Sequence, residues 1–137
     1  RDWALRTLYR EILSRMDHPV IAVLGLAYKQ DTHSTKNSPS IALLEYLKPF
    51  RVRVFDPEVP ASAAPNPHCH DSKSELEACD GADVLVVMTP WQQFGKLDPN
   101  KIAQRLRGKV VLDPYAIFNA TACRVAGLNY LTLGVQP

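Results

Sequence analysis

The chain has 137 residues, of which 46% are hydrophobic and 22% are charged, and its formal net charge is +2. This length suits one compact domain with a core, and a nearly neutral, unclustered charge is not the electrostatic pattern of a nucleic-acid-binding protein. The apolar runs have the length of β-strands and are too short to cross a membrane.

The first predicted element is an amphipathic helix over residues 1–17, which Pro19 ends. Its apolar residues recur at three- and four-residue steps: Trp3, Leu5, Leu8, Tyr9, Ile12, Leu13 and Met16. Two interpretations stay open for this helix, either the end of a longer connecting helix or the ordinary first helix of the domain. Our domain division follows the first interpretation, with residues 1–17 as the end of a connecting helix and residues 18–137 as one domain.

A strand–helix–strand unit follows. The continuous apolar run Val20–Leu24 is typical of a buried parallel strand. Ser38, followed by a proline, predicts the cap of a helix over Ser40–Leu47, and the alternating segment Arg51–Phe55 predicts a second strand. We expect a right-handed crossover between the two strands.

The second half of the chain continues the alternation. The segment Glu58–Asp71 is rich in Pro, Ala, Asn and His and is predicted to be a loop. The predicted helices are Ser72–Cys79, Pro99–Leu106 and Asn119–Val125, and the predicted strands are Asp83–Met88, Val110–Leu112 and Asn129–Leu133. Together these elements predict an α/β fold, a three-layer αβα Rossmann-like domain with a mostly parallel five-stranded sheet.

Ligands of such sheets bind beyond the carboxyl ends of the strands, where the strand order reverses. If the five predicted strands take the order 3-2-1-4-5, the loops after the first and fourth predicted strands flank this switch point. That order would group Lys29, Thr32, Asp113 and Tyr115 around one crevice. Gly25 stands alone after the first strand, so the three-glycine dinucleotide fingerprint is absent from this loop.

Several polar residues have alternative roles. Thr32 is predicted to bond the backbone of its own loop, and Asp56 is predicted to cap the backbone before Pro57 rather than to hold a ribose. Asp113 is either a structural anchor or part of the site.

The cysteine and histidine pattern predicts neither a metal site nor a catalytic residue. The run His68-Cys69-His70 has no further ligands at a suitable spacing for a tetrahedral metal site. Three widely spaced cysteines do not form a disulfide framework, and no secretory signal is recognisable, so we expect a cytoplasmic protein.

Three segments carry a resemblance to a known family. They are Gly25–Pro39 (GLAYKQDTHSTKNSP), Val52–Pro57 (VRVFDP) and Ala82–Phe94 (ADVLVVMTPWQQF). With the last predicted strands and helix, from Val110 to Gly134, they resemble in order the C-terminal, UDP-binding domain of the UDP-glucose/GDP-mannose dehydrogenase family. The resemblance covers roughly residues 20–134, and its first segment is the specific one.

The resemblance implies a function for a longer parent protein. Enzymes of this family oxidise the C6 alcohol of a nucleotide sugar to a carboxylate and use two NAD molecules in succession. Their catalytic cysteine and NAD fingerprint lie in an N-terminal domain, and a homodimer is built largely on a central helix and core. By resemblance, this chain is the nucleotide-sugar-binding domain of such an enzyme, of the type that converts UDP-glucose to UDP-glucuronate, and is inactive alone.

The resemblance also implies site residues and departures from the family pattern. Tyr28, Lys29, Asp113 and Tyr115 take the substrate-binding positions, and Lys36 takes the position of an arginine that reaches toward NAD. Ser34 replaces a usual aspartate, and Tyr115 stands where many members have an arginine. These departures support an alternative, a stand-alone nucleotide-binding or regulatory module without dehydrogenase activity.

Overall fold

The computed structural model describes residues 2–133, in which six parallel strands form one sheet flanked by helices. The strands are β1 (Val20–Leu24), β2 (Arg51–Phe55), β3 (Cys69–Asp71), β4 (Val84–Val87), β5 (Val110–Leu112) and β6 (Asn129–Leu131). The helices are α1 (Asp2–Leu8), α2 (Pro39–Tyr46), α3 (Glu75–Cys79), α4 (Pro99–Arg105) and α5 (Ala120–Val125). A π-helical stretch, Tyr9–Leu13, continues α1, and short 3-10 turns cover Ala61–Ala63 and Gln92–Lys96.

The sheet has the order β3-β2-β1-β4-β5-β6. β1 is central and pairs with β2 on one side and β4 on the other. Helices α3, α4 and α5 pack in a row, whereas α1 shares a groove with the end of α2. Because right-handed crossovers in the two directions from β1 place helices on opposite faces, this is the expected three-layer αβα arrangement.

The apolar pattern of each strand reflects its place in the sheet. Residues 21–24 of β1 and all of β4 are buried, as expected for strands covered on both faces. β2 alternates between buried valines and more exposed arginines. The continuous apolar runs therefore mark the centre of the sheet, and burying them provides most of the driving force for folding.

Two sequence predictions about the sheet are corrected by the structure. The predicted number of five strands was wrong, because β3 lies in the segment predicted to be a loop. β3 is an edge strand of three residues and contains no fully buried side chain, so it carries no apolar signal. The order 3-2-1-4-5 was also wrong, because the predicted third strand, β4, pairs with β1. The switch point therefore lies between the loops after β1 and β4.

The first helix ends earlier than predicted, at Leu13 rather than Asp17. The backbone N–H of Ser14 donates to the Tyr9 carbonyl at 2.9 Å, which widens the last turn. Met16, the last apolar residue of the predicted face, is 37% exposed and provides no packing to extend the helix. The predicted start at Arg1, the predicted domain end at residue 137 and Gly134 lie outside the described residues.

The amino ends of the central strands are joined by one buried carboxylate. Asp83 accepts the backbone N–H of Val20 at 2.8 Å and a bidentate pair of hydrogen bonds from Arg107, both 2.8 Å. Burial alone would raise the pKa of Asp83, but these hydrogen bonds and the Arg107 charge outweigh it and lower the pKa. The carboxylate thus stays ionised while it links the starts of β1 and β4 to the turn before β5.

Among the helices of residues 2–133, none combines the length and the apolar content that crossing a bilayer requires.

We predict that Asp83→Asn lowers the free energy of unfolding by about 2 kcal/mol at pH 7, because the charge-assisted hydrogen bonds from Arg107 are lost. Since the pKa of Asp83 is lower in the folded than in the unfolded state, its contribution is complete above about pH 4 and disappears as the pH falls through the folded-state value. Urea unfolding between pH 3 and 7 measures this. The free energy of unfolding of Asp83→Asn should fall less with acid than that of the parent chain. The exposed control Glu45→Gln should lose as much stability in acid as the parent chain does. An equal loss in all three would contradict the prediction.

Candidate functional site

The loop after β1 begins at a glycine that the geometry requires. Gly25 has φ +101°, and a Cβ there would overlap Thr89 after β4. Its N–H donates to the carbonyl of Phe55 at the end of β2, at 2.9 Å. Gly25 therefore lets the chain leave β1 in close contact with Thr89, at the switch point where sheets of this kind bind their ligands.

The Asp56 side chain, at the end of β2, anchors this loop. Its Oδ2 accepts the backbone N–H groups of Leu26 at 2.6 Å and Ala27 at 2.9 Å, and the indole N–H of Trp91 at 3.2 Å. Its Oδ1 accepts the backbone N–H groups of residues 58 and 59. The second pair is the local cap that the sequence predicted. The first three bonds were missed, because their donors lie about 30 residues away in the chain.

The carbonyl groups of the same loop are also satisfied. The Ser38 hydroxyl donates to the Leu26 carbonyl at 2.9 Å, and the Thr89 hydroxyl donates to the Ala27 carbonyl at 2.7 Å. Ser38 is the N-cap residue of α2, as predicted, but its side chain makes no capping hydrogen bond. The competing acceptor at Leu26 explains this difference.

Beyond this pinned stretch, the loop presents free side chains. The N–H of Tyr28 donates to the Ser34 carbonyl at 2.6 Å, which closes a compact turn. The Thr32 hydroxyl accepts the N–H of Ser34, as predicted. Tyr28 is 51% exposed, and Lys29 is exposed with no hydrogen bond or ion pair to any residue between 2 and 133.

Lys36 lies farther along the same loop and is exposed. Its backbone N–H donates to the Ser34 hydroxyl at 3.3 Å, while its ammonium is unpaired within the described chain. Asn37, the next residue, has φ +61°. Lys29 and Lys36 thus belong to one surface loop, and both are available to an anionic ligand.

The loop after β4 forms the facing wall of the crevice. The N–H of Gln92 donates to the side-chain carbonyl of Gln30 at 3.0 Å and so joins the two walls. Trp91 and Phe94 are buried, and Phe94 packs edge-on against Phe55 with ring centroids 6.4 Å apart. Both aromatic residues therefore serve as packing residues.

The loop after β5 is held in place by a buried carboxylate. Asp113 is fully buried, and its Oδ2 accepts the N–H of Phe118 at 3.0 Å and the Tyr130 hydroxyl at 2.7 Å. Burial, followed by the Asp113 carboxylate, raises the pKa of Tyr130, so this hydroxyl remains a donor. The structure therefore places Asp113 as an anchor of its loop.

Tyr115 extends from this loop toward the crevice. Its hydroxyl donates to the Met88 carbonyl at the end of β4, at 3.0 Å, and its side chain is 43% exposed. Burial raises the pKa of Tyr115, so the phenol stays neutral. The ring thus reaches across the edge of β4, although β5 itself is not adjacent to β1.

The structure brings three loops together, those after β1, β4 and β5, through side-chain contacts at the carboxyl edge. The link between Gln30 and Gln92 and the reach of Tyr115 to Met88 were both missed. Glutamine in a polar loop gives no sequence signal of its partner, and the contact of Tyr115 depends on strand order.

The cysteines lie away from reactive surroundings. Burial is the main cause that raises the pKa of Cys69 to about 11, of Cys79 to about 12 and of Cys123 to about 11. All three are free thiols, and they are protonated at neutral pH. In the stretch from residue 2 to residue 133, no three His, Cys, Asp or Glu side chains are grouped to hold a metal ion.

The chain is similar in sequence to curated dehydrogenases. It is 32% identical over 119 residues to UDP-glucose 6-dehydrogenase of Rickettsia bellii, with 83% of this chain and 27% of that protein covered. It is 36% identical over 115 residues to UDP-glucose 6-dehydrogenase of Rattus norvegicus, with 72% and 22% covered. The chain therefore spans about a quarter of the length of these relatives.

Solved structures show the same fold. UDP-D-ManNAc dehydrogenase from Pyrococcus horikoshii superposes with a TM-score of 0.76 at 26% identity, covering 97% of this chain and 30% of that one. NDP-N-acetyl-D-galactosaminuronic acid dehydrogenase from Methanosarcina mazei superposes with a TM-score of 0.78 at 22% identity, covering 98% of this chain and 28% of that one. At this identity the similarity shows a shared fold only.

A family model matches most of the chain. Residues 22–120 match the UDP binding domain of the UDP-glucose/GDP-mannose dehydrogenase family. This segment runs from β1 to the start of α5 and includes all three loops of the crevice. The chain belongs to the UDP-glucose/GDP-mannose dehydrogenase family, as its UDP-binding domain.

Proposed function

We propose that this chain is the substrate-binding domain of an NAD-dependent nucleotide-sugar 6-dehydrogenase, of the type that oxidises UDP-glucose to UDP-glucuronate. The observation that carries the proposal is the Lys29 ammonium, which has no partner among residues 2–133. Lys29 lies on a loop whose backbone Asp56 holds at Leu26 and Ala27. A cation on a rigid loop at the switch point suits the phosphate or sugar oxygens of a nucleotide sugar.

The other side chains have separate roles in this proposal. Tyr28 and Tyr115 are exposed in part and provide ring surface and hydroxyl groups for the ligand. Asp113 is fully buried, so it acts on the ligand through the loop that carries Tyr115. Since Tyr115 is neutral, it does not offset the ligand's negative charge, and in this proposal Lys29 does.

The NAD molecules are held mainly by another domain of the parent. The loop between β1 and α2 contains one glycine, Gly25, and cannot form the close backbone cradle that a pyrophosphate needs. In this proposal, Lys36 is the residue of this chain that reaches toward NAD across the cleft. When bound, NAD accepts the hydride of the sugar alcohol, and this domain's contribution is to bind and orient the sugar nucleotide.

The isolated domain should have no turnover, because it contributes one wall of the site. Its partners are the N-terminal NAD-binding domain and the central domain of the parent, which we propose to be a cytoplasmic homodimer. Three free cysteines are consistent with a reducing compartment.

We predict weak but localised binding of UDP to the isolated chain. Amide NMR spectra recorded with UDP, UDP-glucose, GDP-mannose and NAD should shift near Tyr28, Lys29 and Tyr115 with the UDP ligands. GDP-mannose should be weaker, and the affinity should be millimolar, because losing about 4 kcal/mol of contacts to the missing wall costs roughly a thousandfold.

Silence of the isolated chain with every ligand, together with binding by the full-length parent, would still support the domain assignment. Silence of both would favour a regulatory module without dehydrogenase activity, in which Ser34, Lys36 and Tyr115 no longer serve a dehydrogenase.

The role of Lys29 predicts that Lys29→Met weakens UDP binding by about tenfold or more, since a charge-assisted hydrogen bond is worth about 1.5–3 kcal/mol. Lys101→Met is the matched control, because Lys101 is an exposed lysine on α4. Both variants should unfold at the same urea concentration as the parent chain. Equal UDP affinity of the two variants would exclude Lys29 as a ligand contact.

Asp56→Asn tests the anchor of the loop. An asparagine NH2 would face backbone donors that now bond a carboxylate, so we expect about 2–4 kcal/mol of destabilisation. The amide signals of residues 26–29 should move, and UDP binding should weaken although residue 56 does not touch the ligand. Unchanged UDP binding in a folded Asp56→Asn chain would show that the loop does not need this anchor.

A further inference from the structure

Residues 28–31 form the tip of the loop after β1, and all four are exposed. The N–H of Tyr28 donates to the Ser34 carbonyl at 2.6 Å and closes the base of this tip. Asp31 has φ +63°, a left-handed conformation that residues with a side chain adopt at a cost. Because burial does not hold an exposed tip, its conformation depends on hydrogen bonds to the rest of the chain.

Within residues 2–133, one hydrogen bond connects this tip to another element. The side-chain oxygen of Gln30 accepts the N–H of Gln92 at 3.0 Å, across 62 residues of sequence. Gln92 is the first residue of a 3-10 turn, where a backbone N–H has no acceptor inside the turn. Gln30 therefore supplies the acceptor that this N–H lacks, and the tip is held in return.

The 3-10 turn is a firm support for this bond. Trp91, which precedes Gln92, is buried, and its indole N–H donates to Asp56 at 3.2 Å. Phe94, two residues after Gln92, is fully buried and packs against Phe55. Gln92 thus lies between two anchored aromatic residues, so the side chain of Gln30 contacts a fixed point of the fold.

Lys29 lies between two held residues. On its amino side, Ala27 is bonded at its N–H to Asp56 and at its carbonyl to Thr89. On its carboxyl side lies Gln30, whereas the Lys29 ammonium has no partner among residues 2–133. The backbone is thus ordered before a ligand arrives, which lowers the ordering cost of binding, while the ammonium stays free to contact the ligand.

We propose that Gln30 is a positioning residue for nucleotide binding, an inference that rests on the proposed function of Lys29. The hydrogen bond from Gln92 to Gln30 holds the Lys29 backbone, so the ammonium meets the phosphate or sugar oxygens from a loop that is already ordered. Glutamine suits this role, because its amide oxygen accepts the hydrogen bond without the negative charge that would offset the ammonium.

The first test needs no ligand. In NMR measurements on the 137-residue chain, Gln30→Met should speed the hydrogen exchange of the Gln92 amide by about fivefold and lower the order parameters of residues 29–31. Gln30→Glu keeps an acceptor oxygen, so it should retain both the slow exchange and the order. Unchanged exchange and order in Gln30→Met would overturn the proposal, because the bond would then hold nothing in place.

The second test uses UDP as the ligand. Gln30→Met should weaken UDP binding by about fivefold, the effect of one neutral hydrogen bond, whereas Gln104→Met, which removes an exposed glutamine on α4, should not. Both variants should unfold at the same urea concentration as the unaltered chain, because both side chains are exposed.

A double-mutant cycle separates positioning from direct contact. In a chain that already carries Lys29→Met, Gln30→Met should cause less than about a twofold further loss of UDP affinity, because a positioning residue acts through the group that it positions. An equal loss in both backgrounds, or unchanged UDP affinity in Gln30→Met alone, would overturn the proposal. If UDP binds neither this chain nor the full-length parent, the proposed function fails, and the measurements on the free chain decide by themselves whether Gln30 holds the loop.

Discussion

The hydrogen bonds to the Asp56 carboxylate hold together the loops at the carboxyl edge of the sheet. Five N–H donors from three chain segments converge on its two oxygens. Each of these donors would otherwise need another partner at the edge of the sheet, where the regular ladder ends. Because one carboxyl side chain accepts all of them, the loops after β1, β2 and β4 are fixed relative to one another.

At the opposite edge of the sheet, a second aspartate links neighbouring segments in the same way, with different partners. Asp83 joins the amino ends of β1 and β4 to Arg107, and Gly108 lets the chain pass against the Asp83 carbonyl, where a Cβ would overlap. The central strands are therefore fixed at both ends by aspartates. A scaffold held in this way allows the loops between the anchors to differ in charge without changing the fold.

The buried residues that hold the loops and the exposed residues at their rim are different sets of side chains. Ser34, Lys36 and Tyr115 lie on exposed parts of the loops, whereas Asp56, Ser38 and Thr89 form the buried framework below them. Substitutions at the rim should therefore change the charge of this edge of the sheet more than the stability of the fold, because exposed rim residues contribute little to the packed core.

The sequence predicted the elements that depend on residues close together in the chain, and it missed features that depend on residues far apart. Long apolar runs identified β1 and β4, and an alternating segment identified β2, because burial is imposed on consecutive residues. The last helix was also predicted close to its observed bounds, and the Asn119 side chain that caps it accepts the N–H of Ala122, only three residues away. β3 was missed because an edge strand of three residues carries no apolar run.

The alternation of strands and helices, the family and the loop that carries Lys29 could all be predicted from the amino-acid sequence. The strand order, the burial of Asp113 and the acceptor of the Ser38 hydroxyl became known only from the folded chain. Each of these depends on groups that are distant in the chain and meet only after the strands pair. Local patterns record which residues are buried, but they do not record which partners satisfy the buried polar groups.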